Sequence, residues 1–275
     1  MSESNRAALH TIGSTRWPAH RTVAELPGSL PMGGVVADTP VHAFEATPEP
    51  LRLRAGGPGL ARRQDIELGG LLAFHIDPVL DAAECQAVIE ASERLGYRDE
   101  APGIVTPPGM RMNKTVHWVA DAHLMAPIFE RIAVLLPREI DGRALAPVLS
   151  HRINMYRYDA EDCFNTHIDG DWPGFGLDES RERMVQWPSL RSCLTMLLYL
   201  NGPEQGVDGG ATRLLGPDGQ QVDVAPRQGA ALLFRHGLGP RSVRHQGRPV
   251  QGGQSKYVAR INVMYRDSHG EALRQ

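Results

Sequence analysis

Three cysteines, Cys85, Cys163 and Cys193, are too few and too scattered for a disulfide framework or a thiolate zinc cluster, so they read as reduced and mostly buried thiols. No uninterrupted apolar run reaches membrane-spanning length. The chain also lacks a charged start followed by an apolar stretch and a small-residue cleavage site, and a soluble, cytoplasmic protein is expected. Charge of one sign is missing too: 29 lysines and arginines stand against 32 aspartates and glutamates, a formal net charge of -3. Such a balance leaves no broad field to draw in nucleic acid or an anionic membrane, and a small or neutral substrate fits it better. What is present is an ordinary apolar fraction of 41% in 275 residues, enough to bury one large core.

Residues 1–63 are rich in Pro, Gly and Ala, with PGSLPMGG and RAGGPGLARR, and are expected to form an extension or wrapping arm ahead of a single domain at 64–275. The apolar run at 71–80 predicts a buried strand. Asp81, with Glu84 three residues on, predicts a capping box, and Val88, Ile89 and Leu95 then recur at helical spacing up to Gly96. A second helix is expected at 123–136, with Leu124, Ile128, Ile132 and Leu135 on one stripe and Pro137 as its stop. After Pro147 the period changes to 2, and strands are expected at 150–158, 192–200, 211–215, 221–224, 230–234 and 257–266. Short strands without interleaved helices argue against a doubly wound sheet and for a barrel or jelly roll behind two supporting helices, an α+β fold.

Within YRYDAEDCFNTHIDGDWPG, His167 and Asp169 are two residues apart, and in an extended chain such positions point to one side. One imidazole and one carboxylate can then reach one cation. His245, several strands later, is the third candidate, because a late barrel strand returns beside an early one. Two histidines and a carboxylate on one face of a ferrous ion leave the other face open for a chelating cosubstrate and dioxygen, whereas zinc more often asks for a closed site. Asp171 competes with Asp169 from beyond the turn at Gly170. His151, His236 and His269 are weaker candidates, and Cys163, four positions before His167, is the thiol to watch for oxidation.

The last strand alternates Lys256, Val258, Arg260 and Asn262 against Tyr257, Ala259, Ile261 and Val263. A solvent-facing edge strand explains the pattern, and so does a barrel interior that holds an anion. Two segments offer substrate contacts: the polar stretch at 171–191, expected as a long loop or lid with Trp172, Arg181, Arg183 and Trp187, and PPGMRMNKTVHW at 107–118, with Arg111 and Asn113.

From residue 71 to residue 266 the chain resembles the prolyl 4-hydroxylase-like branch of the iron(II)/2-oxoglutarate oxygenases. The resemblance rests on Tyr158 nine residues before His167, the HID triplet, LTMLLYLN, GGATRL, GAALLF, and His245 in H-x-G-x-x-V followed by Lys256 and VMY. It implies a double-stranded β-helix core and a dioxygenase that hydroxylates an aliphatic C–H bond of an amino acid, peptidyl proline or small natural product, releasing succinate and carbon dioxide. It also implies Fe(II) held by His167, Asp169 and His245, with 2-oxoglutarate and O2 as cosubstrates and ascorbate as reductant. Lys256 would pair with the distal carboxylate of 2-oxoglutarate, supported by Tyr158, and Arg260 is a second candidate for that pairing. Ala211 stands where the family often has glutamate, and the eleven residues from His245 to Lys256 are one more than expected, which leaves the choice between Lys256 and Arg260 open. Two other readings compete: a non-catalytic, cupin-like jelly roll that only binds metal, and a zinc hydrolase, for which no general base is placed.

Overall fold

The computed structural model describes residues 17–29, 35–99 and 110–266. In chain order β1 (His20–Ser29), β2 (Val35–Phe44), β3 (Arg62–Asp65) and β4 (Ala73–Asp77) precede α1 (Ala82–Leu95), and β5 (Lys114–Val119) precedes α2 (Ala122–Ile132). Strands then dominate: β6 (Glu139–Ile140), β7 (Arg143–Leu149), β8 (Arg152–Tyr158), β9 (Phe164–His167), β10 (Pro173–Leu177), β11 (Met184–Tyr199) and β12 (Val207–Gly209). They continue as β13 (Thr212–Leu215), β14 (Gln221–Val224), β15 (Ala231–Arg235), β16 (Arg244–Gly247), β17 (Val250–Gly253) and β18 (Lys256–Arg266).

These strands make the expected α+β jelly roll. The larger sheet runs β1-β2-β5-β8-β18-β11-β15-β4-β3, and the smaller runs β14-β13-β16-β9. Alternation along each strand gives the larger sheet two buried faces. Met155, Met196, Leu198, Leu233, Ala259 and Ile261 join the core that holds α1 and α2. Tyr156, Tyr158, Leu197, Leu232, Phe234 and Val258 join Leu214 of the smaller sheet. β18 lies between β8 and β11, so the reading of its polar residues as a solvent-facing edge is wrong: Lys256, Arg260 and Asn262 are 2%, 7% and 8% exposed.

The helices form where expected. At α1 the Asp81 carboxylate accepts from the Glu84 amide at 2.8 Å and the Glu84 carboxylate accepts from the Asp81 amide at 3.0 Å, which satisfies two otherwise orphaned N–H groups. The α2 helix starts at the Asp121 cap and ends at Ile132, four residues short of the expected end, because residues 133–135 tighten into a 3-10 turn. Arg131, on its last turn, reaches both Glu84 carboxylate oxygens at 2.8 Å and ties the helices together.

Two expectations need correction. Residues 171–191 are not a loop: β10 pairs with the first half of β11, with Gly174 opposite Trp187. A Cβ on Gly174 or Gly176 would come within 2.5 or 2.6 Å of the Trp187 ring, so glycines that read as loop punctuation instead let an indole lie across the hairpin. Residues 20–29 and 35–44, expected only as part of an arm, form two paired antiparallel strands, the second of which runs parallel to β5, pairing Val41 with His117 and His42 with Trp118. Their buried residues Val23, Val41 and Ala43 pack on Val119. Among the described residues no helix is long and apolar enough to cross a membrane.

Candidate metal centre

The smaller sheet pairs β16 with β9 so that His245 lies directly opposite His167, their ring centroids 4.1 Å apart. Asp169 follows β9 by two residues and turns its carboxylate to the same side, 3.8 Å from His167 Nε2 and 3.7 Å from His245 Nε2. One ligand atom from each of the three lies within 4.8 Å of the others. Aromatic walls fix the imidazoles: Phe164 stacks on His167 at 3.6 Å, and Phe234 lies 4.4 Å from His245.

Hydrogen bonding orients the donor atoms. His167 Nδ1 donates to the Asn165 carbonyl at 2.7 Å, and His245 Nδ1 faces the Val243 carbonyl at 3.4 Å, so both Nε2 lone pairs are left for a cation. Burial, reinforced by His245, lowers His167 to about 3, and burial lowers His245 as well. Both rings are therefore neutral at pH 7, as metal ligation requires. Burial alone would raise the Asp169 carboxyl, but Arg260 and the two imidazoles hold it well below the usual carboxylate range. Asp169 Oδ2 accepts from Thr195 Oγ1 at 2.7 Å and from Arg260 Nε at 3.0 Å, while Oδ1 has no hydrogen bond among the described residues. Two neutral imidazole nitrogens and one free carboxylate oxygen suit a divalent transition metal such as iron(II).

Behind Asp169 runs a chain of polar contacts. Because Thr195 donates to a carboxylate, it accepts from His236 Nδ1 at 2.8 Å; His236 Nε2 then accepts from Ser192 Oγ at 2.8 Å, and Ser192 accepts from the Trp172 amide at 2.8 Å. Burial, with Arg260 nearby, lowers His236 to about 4, which keeps the chain neutral. His236 thus lies near the centre without joining the triad, and Thr195 and Ser192 are residues the sequence did not single out.

A narrow chamber on the other side of the triad is lined by Tyr158, Thr212, His245 and Lys256. Lys256, opposite Tyr158 in the β8–β18 ladder, donates to the Gly210 carbonyl at 2.6 Å and sits 4.6 Å over the Tyr158 ring. It forms no ion pair among the described residues, and burial lowers it to about 7. Arg260 differs, because its Nε is engaged with Asp169.

Above the triad opens a cavity of about 460 Å³ lined by Arg111, His117, Arg152, Asn154, Trp172 and Asn262 among others. Of the six substrate candidates, Arg111 and Trp172 reach it. Asn113 is buried and accepts from Arg111 Nε at 3.2 Å. Arg181 bonds Asp121 and the Phe44 carbonyl, each at 3.1 Å; Arg183 pairs with Asp178 at 3.3 Å; Trp187 packs edge-on to His151 at 5.0 Å. Asp171 is held by Arg191 at 2.7 Å, away from the triad, and His269 lies outside the described residues. Arg152, Asn154 and His117 are not singled out by the sequence, and Asn262 is read there only as one of the polar residues of the last strand. For three of them a signal existed: Arg152 and Asn154 share strand parity with Tyr158, and Asn262 shares it with Lys256.

Residues 153–264 match the family model of the 2OG-Fe(II) oxygenase superfamily. No curated protein matches the chain. Among solved structures it is similar to a prolyl hydroxylase from Trichoplax adhaerens in complex with a hypoxia inducible factor oxygen degradation domain peptide fragment. There the TM-score is 0.50 at 15% identity, over 79% of this chain and 88% of that one. It is also similar to the viral collagen prolyl hydroxylase of Paramecium Bursaria Chlorella virus-1, with a TM-score of 0.44 at 18% identity, over 75% of this chain and 97% of that one. A Pseudomonas putida prolyl-4-hydroxylase gives 0.45 at 17% identity, over 76% and 94%. At these identities the likeness is one of fold.

Proposed function

We propose, from the premise that residues 153–264 belong to the 2OG-Fe(II) oxygenase superfamily and that the chain is a dioxygenase, that it hydroxylates an aliphatic C–H bond of an amino acid, peptidyl proline or small natural product. In the balanced reaction, 2-oxoglutarate, dioxygen and R–H give succinate, carbon dioxide and R–OH. Iron(II), once bound, supplies the activation of dioxygen that drives the decarboxylation.

The chain's own residues hold and orient. His167, Asp169 and His245 would hold the iron, with Thr195 and His236 positioning the Asp169 carboxylate. Lys256 would take the distal carboxylate of 2-oxoglutarate, beside the Tyr158 hydroxyl. It is preferred over Arg260 because Arg260 already serves Asp169, whereas Lys256 is a buried amine with no acid beside it among the described residues. The aromatic rings of Phe164, Tyr156 and Phe234 exclude water around the triad. Ascorbate would serve as reductant. The three unpaired cysteines support a reducing, cytoplasmic setting.

The observation that carries this reading is the convergence of two cross-strand imidazoles and one carboxylate beside a buried lysine that forms no ion pair among the described residues. Succinate release, screened against amino acids and peptides, tests it: a substrate-stimulated signal is expected in the wild type and its loss in His167→Ala and Asp169→Ala. Full activity in Asp169→Ala would end the assignment.

A further inference from the structure

Alternate residues of a strand face one way, so Arg152, Asn154, Tyr156 and Tyr158 of β8 share a face with Lys256, Val258, Arg260 and Asn262 of β18 across the ladder. The pairings Lys256–Tyr158 and Arg260–Asn154 order this floor. At one end is the Lys256 chamber, in the middle Arg260 beside Asp169. At the far end, about 7 Å beyond Arg260 at ~3.3 Å per residue, are Arg152 and Asn262.

The far end holds positive charge that no acid answers. Arg152 makes no ion pair among the described residues; its guanidinium stands 5.6 Å from the Phe175 ring, and its shielded Nε has no partner. Arg111, which lines the same cavity nearer the triad, lies over Tyr156 and Phe164 at 4.9 and 4.7 Å, and its shielded Nη2 is equally unpartnered. Burial, with Arg260 nearby, lowers Arg152 to about 10, which still leaves it charged at neutral pH. A shielded cation without a counter-charge is destabilising, and a ligand carboxylate would supply the missing anion.

The same wall carries a matching acceptor. His117 is 2% exposed and its Nδ1 lies 2.6 Å from Asn154 Oδ1, so Nδ1 is the donor and Nε2 the acceptor. Nε2 has no partner, and neither has Asn262 Oδ1; both residues line the cavity.

Resting on the dioxygenase reading, we infer that the outer cavity binds a free carboxylate of the substrate at Arg152 and Arg111 and an N–H or O–H of the same molecule at His117 and Asn262. The substrate is therefore a small acid and not an internal residue of a polypeptide. A planar carboxylate can take two donors from one guanidinium, a match that a neutral amide lacks.

The test uses anaerobic ferrous protein saturated with 2-oxoglutarate, so that the Lys256 chamber is filled. Its melting temperature is read against N-acetylproline, N-acetylleucine and phenylacetate, each beside its primary amide. The acids are expected to raise the melting temperature and the amides to leave it unchanged. In Arg152→Gln the acid affinity should fall about tenfold or more, the scale of a lost hydrogen bond to a charged group, while the visible charge-transfer band of the ferrous 2-oxoglutarate complex persists. Arg152→Met should melt higher than wild type without ligand, because it removes a desolvated charge, and so remains measurable. Amides as effective as acids, no response to any acid, or a full acid response in both Arg152→Gln and Arg111→Gln would overturn the inference. A wild type with no charge-transfer band counts instead against the dioxygenase reading, since the acid–amide difference reads the cavity independently of iron.

Discussion

Asp169 has one carboxylate oxygen fixed by Thr195 and Arg260 and the other left open, a division that presets the side chain for a cation. Thr195→Val removes the orienting hydroxyl with little change in volume, and iron(II) affinity, read by equilibrium titration, should fall about tenfold. Lys256 gives a second residue-scale prediction, with a definite sign. Burial lowers it from its usual 10.5 to about 7. Below about pH 7 the lysine is charged in both folded and unfolded chains, and its desolvation weighs on the fold in full. Between about 7 and 10.5 only the unfolded chain keeps the proton, so the ligand-free protein gains stability as pH rises, on the order of 5 kcal/mol from this group. Binding of 2-oxoglutarate to the charged lysine reverses the preference, so its affinity should weaken as pH climbs above about 7. Melting curves against pH with and without 2-oxoglutarate check both, and an affinity that stays flat across that window would contradict the role given to Lys256. The convergence of the triad was legible because H-x-D needs only strand parity and His245 only a returning strand. Thr195 and His236 were not, because their place behind Asp169 depends on which strands become neighbours.

The two helices and the central strands could be read from capping and periodicity, since both signals are local. Asp81→Ala should cost about 1 kcal/mol in urea unfolding, the usual worth of a cap. Arg131→Met should cost more, because it strips the part-buried Glu84 carboxylate, 15% exposed along its side chain, of its cationic partner. The β10–β11 hairpin has the sequence of a loop for a local reason: PGFGL carries breakers where a strand would show branched residues, and the compensation comes from Trp187, ten or more residues away. Gly174→Ala forces a Cβ against that ring and should cost about 1–3 kcal/mol in thermal unfolding. A neutral result would mean that the indole swings aside freely.

Over the whole molecule, the jelly roll places one face of its larger sheet on the helices and the other on the smaller sheet, and the chemistry-bearing side chains all lie between the sheets. The β1–β2 strand pair completes this arrangement, covering the edge of β5 and bringing Leu26 and Pro27 to the rim of the outer cavity. Its strands escaped the sequence reading because HRTVAELPGS has few apolar positions, and only Val23 among its side chains from 20 to 27 is buried. The claim on which all of this turns is that His167, Asp169 and His245 share one ferrous ion beside a 2-oxoglutarate held by Lys256. Anaerobic titration with iron(II) and then 2-oxoglutarate, followed in the visible range, tests it most directly. A charge-transfer band should form only when both are present, vanish in Asp169→Ala and need more 2-oxoglutarate in Lys256→Met. Iron that binds Asp169→Ala as tightly as the wild type, with the same band, would contradict it.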